Sequence, residues 1–298
     1  MDHEKFKEIL SGYSVTTTTP FTDDLSMVDI NAITNNLEFL VENEVPLIIP
    51  NGNTGEFYSL SQKEWVEVLG ASVEAVGENS VIMSGVGHSI KTALSQIEQL
   101  RNLGVPALMI HYPQHVFVSE EGLLSYYRTL LKAAKGLNVV LYKKGPLLSD
   151  DTLEKLIVYE NLIGVKYAFG RIVDFSRTVH RFGDQIVWSC GTAERFVPFF
   201  WLAGAKAFTS GLCNFAPHVS RRMFEALKKN DYDEAMNVQR MITPLEDLRE
   251  GREKANNVPV VKAAMDHVGL KGGRCRPPIH PLSEDEKNAT IAVISNWR

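Results

Sequence analysis

Eight short apolar runs, each followed by residues recurring at helical spacing, constrain this chain more than any other feature. The runs lie at residues 14–18, 46–50, 81–85, 107–110, 139–142, 163–167, 186–189 and 207–210. Strand–helix units in series build a parallel sheet covered by helices, because a crossover helix returns the chain to the same edge and buries one face. Eight such units predict an α/β protein, a (β/α)8 TIM barrel; the alternative is an open doubly wound sheet, which usually has fewer strands.

The intervening segments carry the expected stripes and stops. Ile30, Ile33, Leu37 and Leu40 recur at helical spacing behind Ser26, a predicted cap with Asp29 three residues on. Ser61 and Glu64 form a capping-box pattern ahead of Trp65, Val68, Leu69, Val73 and Val76, and Gly77 closes that helix. Ala93, Ile97 and Leu100 stop at Gly104; Leu123, Tyr127, Leu130 and Leu131 stop at Gly136. From about Pro217 onward no strand-like run appears, and stripes such as Met223 and Leu227, then Tyr232, Met236 and Met241, take over, with a last helix after Ser283. The division expected is a barrel over residues 1–224 and a C-terminal helical region over 225–298, with no linker between them.

With 298 residues, 44% of them hydrophobic, the chain can bury a large core without staples. A net charge of −5 with thinly spread basic residues gives no nucleic-acid surface. Cys190, Cys213 and Cys275 lie far apart, with no CxxC pair and an odd count, which suits a reducing compartment better than a disulfide framework. The N-terminus, MDHEKFKEIL, is charged and lacks an apolar signal core, and no run is long enough to span a bilayer. The expectation is a cytoplasmic protein with no membrane partner.

A barrel of this kind places its active site at the C-terminal ends of its strands. That rule selects residues 51–57, Tyr142 and Lys166. Lys166 ends an apolar run, LIGVKYA. A lysine in a low-dielectric site loses hydration of its charged form, and the neutral amine can attack a ketone to form a Schiff base. The competing reading is a lysine that snorkels at the rim or pairs with a carboxylate. Tyr142 closes NVVLY one strand earlier, where its phenol can shuttle protons or merely fill the barrel mouth. NGNTGEF, containing Gly52, Asn53 and Thr54, follows a strand directly and makes a backbone concavity suited to a carboxylate, or simply a turn requiring glycine. It is neither GxGxxG nor GxxxxGK[ST], so a nucleotide site is disfavoured. His111 and His115 have no carboxylate at metal-ligand spacing, so no metal site is expected and packing or hydrogen bonding is. Glu56 reads as an acid at a helix start. Ser189 and Ser210 lack a GxSxG elbow.

Together these segments resemble the dihydrodipicolinate synthase / N-acetylneuraminate lyase family of class I aldolases. The resemblance rests on TTTTPF (16–21), GNTGEF (52–57), EEGL (120–123), VVLY (139–142), GVKYA (164–168) and SGLCNFAP (210–217), and covers nearly the whole chain. It implies a (β/α)8 barrel with a helical C-terminal region, assembled as a homo-oligomer, a dimer or tetramer. It implies that Lys166 is the Schiff-base lysine, that Tyr142 relays protons, that the turn of Gly52, Asn53 and Thr54 holds the substrate carboxylate, and that Gly191 in SCGTAE borders the pocket. The implied partner is a small-molecule 2-oxo acid such as pyruvate, with no metal or organic cofactor, since the lysine adduct supplies the electrophile.

Several positions depart from the members that make dihydrodipicolinate. Asn53 stands where they carry threonine, Gln114 and His115 where they carry an aromatic pair, Lys143 where they carry asparagine, and a residue near Leu147 where they carry the arginine for a second carboxylate. TGEFYSL (54–60), GTAE (191–194) and RCRPP (274–278) look closer to the 5-dehydro-4-deoxyglucarate dehydratase branch. The expected activity is dehydration or aldol chemistry on a sugar-acid-derived 2-oxo acid. Condensation of pyruvate with aspartate semialdehyde is the alternative within enzymes, and a non-catalytic 2-oxo acid-binding barrel the alternative outside them.

Overall fold

The structure, a computed structural model, describes residues 1–295 and 297. All eight apolar runs form strands: β1 (Tyr13–Thr16), β2 (Leu47–Ile49), β3 (Val81–Val86), β4 (Ala107–Ile110), β5 (Asn138–Lys143), β6 (Leu162–Tyr167), β7 (Val187–Cys190) and β8 (Ala207–Ser210). They pair in sequence order into a closed barrel. Phe208 of β8 donates its N–H to the Gly12 carbonyl just ahead of β1 (3.0 Å). The chain is thus a (β/α)8 TIM barrel with a C-terminal helical part, and the open sheet is excluded. β5 and β6 are buried along their whole length, which is why their apolar residues run on without alternation.

The helix starts follow local chemistry. In the helix Gln62–Val76, Ser61 and Glu64 form the capping box, and Gly77 ends it at φ 55°. The predicted Ser26 cap is not formed. Asp24 captures the Ser26 hydroxyl (2.8 Å), and Asp29 instead accepts the Ala32 N–H (3.0 Å) at the start of the helix Ile30–Glu42. Among the described residues no strand follows Ser210, and the helices Pro217–Lys228, Tyr232–Glu250, Asn257–His267 and Glu284–Ile294 complete the chain. No described helix is long and apolar enough to cross a membrane.

Backbone packing groups the chain into two compact units. One comprises Met1–Gly12, Met83–Thr192 and Phe199–Thr209. Its core is aromatic: Phe175 lies 4.6 Å from Phe200 and 5.0 Å from Tyr167, centroid to centroid, in geometries that favour ring contacts. The helix His3–Leu10 buries Phe6 and Leu10, and Leu10 sits where a Cβ on Gly164 would fall, 2.8 Å from its Cδ2.

The other unit comprises Tyr13–Ile82, Ala193–Pro198 and Ser210–Arg298. Its interior contains charge. Arg249 pairs with Glu246 (2.7 Å), both nearly inaccessible, and also donates to the Asn257 side chain (3.1 Å). Glu194 is buried, accepting from the Ser220 hydroxyl (2.9 Å) and the Leu212 N–H (3.3 Å). Burial, with the neighbouring Glu246 carboxylate second, pushes the Glu194 carboxyl up to about 7.

Candidate active site

Parallel pairing of β5 with β6 places Tyr142 opposite Lys166 and Lys143 opposite Tyr167. Alternation along each strand sends these two couples to opposite faces. Tyr142 and Lys166 are buried, at 4% and 7% exposure. The Lys166 ammonium lies 4.7 Å from the centroid of the Tyr142 ring, within the range of a favourable cation–π contact. Register also sets Lys166 beside Ser189 of β7.

Gly191 follows β7 directly, its N–H bonded to the Tyr167 carbonyl (2.9 Å). A Cβ at Gly191 would lie 2.4 Å from Lys166 Cγ and 3.1 Å from its Cε. Only a glycine there lets the lysine stem pass. His111, just after β4, is buried and presents its ring edge-on to Tyr142 at 6.2 Å. The pattern around His111 predicts packing or hydrogen bonding without naming the neighbour; only the adjacency of β4 and β5 in the barrel brings it to the tyrosine near the β5 end. His115 accepts the Phe117 N–H at a ring nitrogen (3.1 Å) on an exposed loop. No cluster of metal-ligating side chains occurs among the described residues.

Lys143 is buried and faces away from Lys166. Its ammonium lies 5.4 Å from the Tyr167 ring centroid and donates to the Leu148 carbonyl. It lines a separate depression of about 300 Å³ with Asp150, Tyr167 and Thr178. Burial lowers its pKa, while Asp150 and Glu120 act in the opposite direction.

The glycine-rich turn belongs to the other compact unit. It is framed by two non-glycine residues in the left-handed region, Asn51 (φ 58°) and Glu56 (φ 55°). Such conformations persist only where surroundings impose them, and here they do. A Cβ on Gly52 would fall 2.2 Å from Thr16 Cγ2. The Gly52 carbonyl accepts from Gly55 (3.0 Å) and Phe57 (3.3 Å), while Thr19 donates its hydroxyl to the Gly55 carbonyl (2.7 Å). Among the described residues the amides of Gly52, Asn53 and Thr54 meet no acceptor, and the Thr16 hydroxyl and the Asn53 side-chain oxygen Oδ1 are buried without partners. A turn with free amides and buried polar atoms suits a small carboxylate.

Glu56 anchors this turn rather than starting a helix in the ordinary way. Its carboxylate is buried and meets the ammonium of Lys262 at 2.6 Å and the Arg276 N–H at 2.9 Å. Lys262 also donates to the carbonyls of Thr19 (2.8 Å) and Arg274 (3.0 Å). Arg276 spreads its guanidinium 4.1 Å from the Phe21 ring centroid and bonds Glu64 at 2.5 and 3.0 Å. The TTTTPF, GNTGEF and RCRPP segments, far apart in sequence, thus meet in one ionic cluster. Lys262, in the helix Asn257–His267, carries no sequence signal that marks it as buried.

The comparisons agree with this architecture. The profile of the dihydrodipicolinate synthetase family matches residues 9–297. A probable 5-dehydro-4-deoxyglucarate dehydratase of Bacillus subtilis is 31% identical over 268 residues, covering 88% of this chain and 86% of the relative. A 4-hydroxy-tetrahydrodipicolinate synthase of Archaeoglobus fulgidus is 28% identical over 285 residues, covering 93% and 95%. The crystal structure of a dihydrodipicolinate synthase from Bacillus clausii superposes with a TM-score of 0.94 at 36% identity, over 98% of this chain and 99% of that one. With its eight-stranded barrel and a family match along nearly its whole length, the chain belongs to the dihydrodipicolinate synthetase family and is a lyase of that family.

Proposed function

We propose that this lyase works through a Schiff base at Lys166 and acts on a sugar-acid-derived 2-oxo acid, removing water or cleaving a carbon–carbon bond. One observation carries the reading: the Lys166 ammonium lies 4.7 Å from the Tyr142 ring centroid, with Gly191 clearing space along its stem. The amine adds to the ketone carbon, the resulting carbinolamine loses water, and the iminium withdraws electrons from the adjacent carbon. Tyr142 moves the protons that addition and dehydration require. The carboxylate role falls to the turn of Gly52, Asn53 and Thr54, whose amides point to no protein acceptor. Borohydride with pyruvate tests the nucleophile: a stable adduct is expected on the peptide containing Lys166, and an adduct on Lys143 or Lys144 instead overturns the assignment.

A second reading, condensation of pyruvate with aspartate semialdehyde, is favoured by the 36% identity to the Bacillus clausii structure, which is named a dihydrodipicolinate synthase. Efficient dihydrodipicolinate formation, with kcat/KM above about 10⁴ M⁻¹s⁻¹, would select it. Self-assembly into a dimer or tetramer in the cytoplasm completes the proposal. The exposed Val116 and Phe117, at 90% and 87% exposure, offer apolar surface for a second copy, and sedimentation gives the oligomeric state directly.

A further inference from the structure

His111 immediately follows β4, and its N–H donates to the Val86 carbonyl at the end of β3 (2.9 Å). The β3–β4 ladder thus runs one residue beyond Ile110, the last residue of β4, and fixes the His111 backbone. Ile110 stands opposite Leu141 of β5, so the next pair along that register is His111 with Tyr142. Tyr142 in turn stands opposite Lys166 of β6. Three adjacent strands therefore set an imidazole, a phenol and an ammonium at one level of the barrel, all within one compact unit.

Tyr142 is held from two sides at that level. The Lys166 ammonium lies 4.7 Å from its ring centroid, and the His111 ring lies 6.2 Å away, centroid to centroid, with 68° between the planes. On the β3 side of His111 the same level belongs to Gly87, which has no side chain and gives its N–H to the Gln96 side chain (2.9 Å). Along the sheet, the side chain that neighbours the imidazole is that of Tyr142. His111 is only 1% exposed. Burying an imidazole carries a desolvation cost that an aliphatic side chain of similar size avoids, and polar groups of this kind concentrate where a site uses them.

We infer that His111 is a positioning residue for the proton relay: its edge-to-face contact fixes the Tyr142 ring against Lys166, so that the phenol stays aligned with the atoms whose protons it moves. The inference rests on the reading of Lys166 as the nucleophile and Tyr142 as the relay. His111 acts through the phenol, on rate, and leaves reactant binding alone. A displacement of about 1 Å in a catalytic group can cost about 10²-fold in rate, which sets the size of the effect that a lost support produces.

The test follows pyruvate alone, so no second reactant is needed. The Lys166 iminium of pyruvate loses a methyl proton to form the enamine, whose electron pair takes a deuteron back from D2O. Each cycle passes through addition and dehydration, the steps assigned to Tyr142, and proton NMR of the methyl signal gives kcat and KM for exchange. His111→Leu and, in parallel, His111→Met fill the space of the imidazole without a ring. Either should lower kcat by roughly ten- to a hundredfold. KM, and the pyruvate concentration that half-saturates borohydride trapping at Lys166, should stay within about twofold of wild type. Added to Tyr142→Phe, the same substitutions should cost less than about twofold more, because the phenol they support is gone. A kcat within about twofold of wild type in both single variants overturns the inference. So does an undiminished loss in the Tyr142→Phe background, which marks His111 as acting independently of the phenol. Absence of any adduct at Lys166 in the wild type overturns the nucleophile instead, and an unchanged kcat in Tyr142→Phe overturns the relay; either result removes the inference with it.

Discussion

Lys166 and Lys262 are both lysines drawn into the interior, at 7% and 1% exposure, and both lie against an aromatic ring, at 4.7 and 4.8 Å from the centroids of Tyr142 and Phe21. Their surroundings separate them. Lys262 donates to two backbone carbonyls and pairs its charge with the Glu56 carboxylate. Lys166 stands at a strand end, with a tyrosine across the register and a glycine cut away beside its stem. Burial alone does not mark a nucleophile: Lys262 is matched to a buried carboxylate, whereas the proposed nucleophile faces a phenol ring with room along its stem.

Three substitutions put that contrast at risk. The largest effect is expected at the proposed nucleophile: Lys166→Met should abolish borohydride trapping and turnover while the thermal transition stays close to wild type, since methionine fills the same channel past Gly191. A drop in Tm as large as that of Lys262→Met would erase the distinction between the two lysines. Next, Tyr142→Phe should retain the fold and the cation–π contact but lose on the order of 10²–10⁴-fold in kcat, the range for a positioned acid–base group. An unchanged kcat would move the proton relay to His111 or to solvent.

Lys262→Met should leave trapping chemistry intact in the folded fraction but destabilise the protein by about 3–5 kcal/mol, because the buried Glu56 carboxylate loses its cation. The double variant Lys262→Met, Glu56→Gln should recover part of that loss in urea denaturation. If the single substitution proves neutral, the ionic cluster under the turn is not what fixes its left-handed residues.

Much of this was legible in the sequence, and the reasons are physical. Strand positions followed from apolar runs that a barrel buries on both faces, so their ends at Tyr142 and Lys166 were found within a residue. The capping box of Ser61 and Glu64 is a local device and was read locally. Ser26 was misread because a nearer acceptor, Asp24, takes its hydroxyl. Lys262 and Glu56 escaped because their pairing spans about two hundred residues of chain, and neither local pattern distinguishes a buried ion from a surface one. The contact between His111 and Tyr142 likewise depends on barrel neighbours rather than on spacing along the chain.

The smallest effect extends the contrast from cations to anions. Glu56 and Glu194 are both buried carboxylates, but Glu56 faces the Lys262 ammonium directly. Around Glu194 stand the hydroxyls of Ser210 and Ser220, the Leu212 N–H, the Cys213 thiol and Glu246, which takes the nearby Arg249 for itself. Burial first and Glu246 second raise the Glu194 carboxyl from 4.5 to about 7. The folded state therefore holds a proton that the unfolded state releases earlier, so stability from this group is fully present below pH 4.5 and declines as pH rises through about 7. At about 1.4 kcal/mol per pH unit of separation, the loss is on the order of 3 kcal/mol. Glu194→Gln keeps a neutral hydrogen-bonding group and removes the ionisation. Its unfolding free energy should stay flatter than wild type between pH 5 and pH 8, and a difference between the two proteins that does not change across this interval would show that Glu194 keeps its charge without a cation of its own.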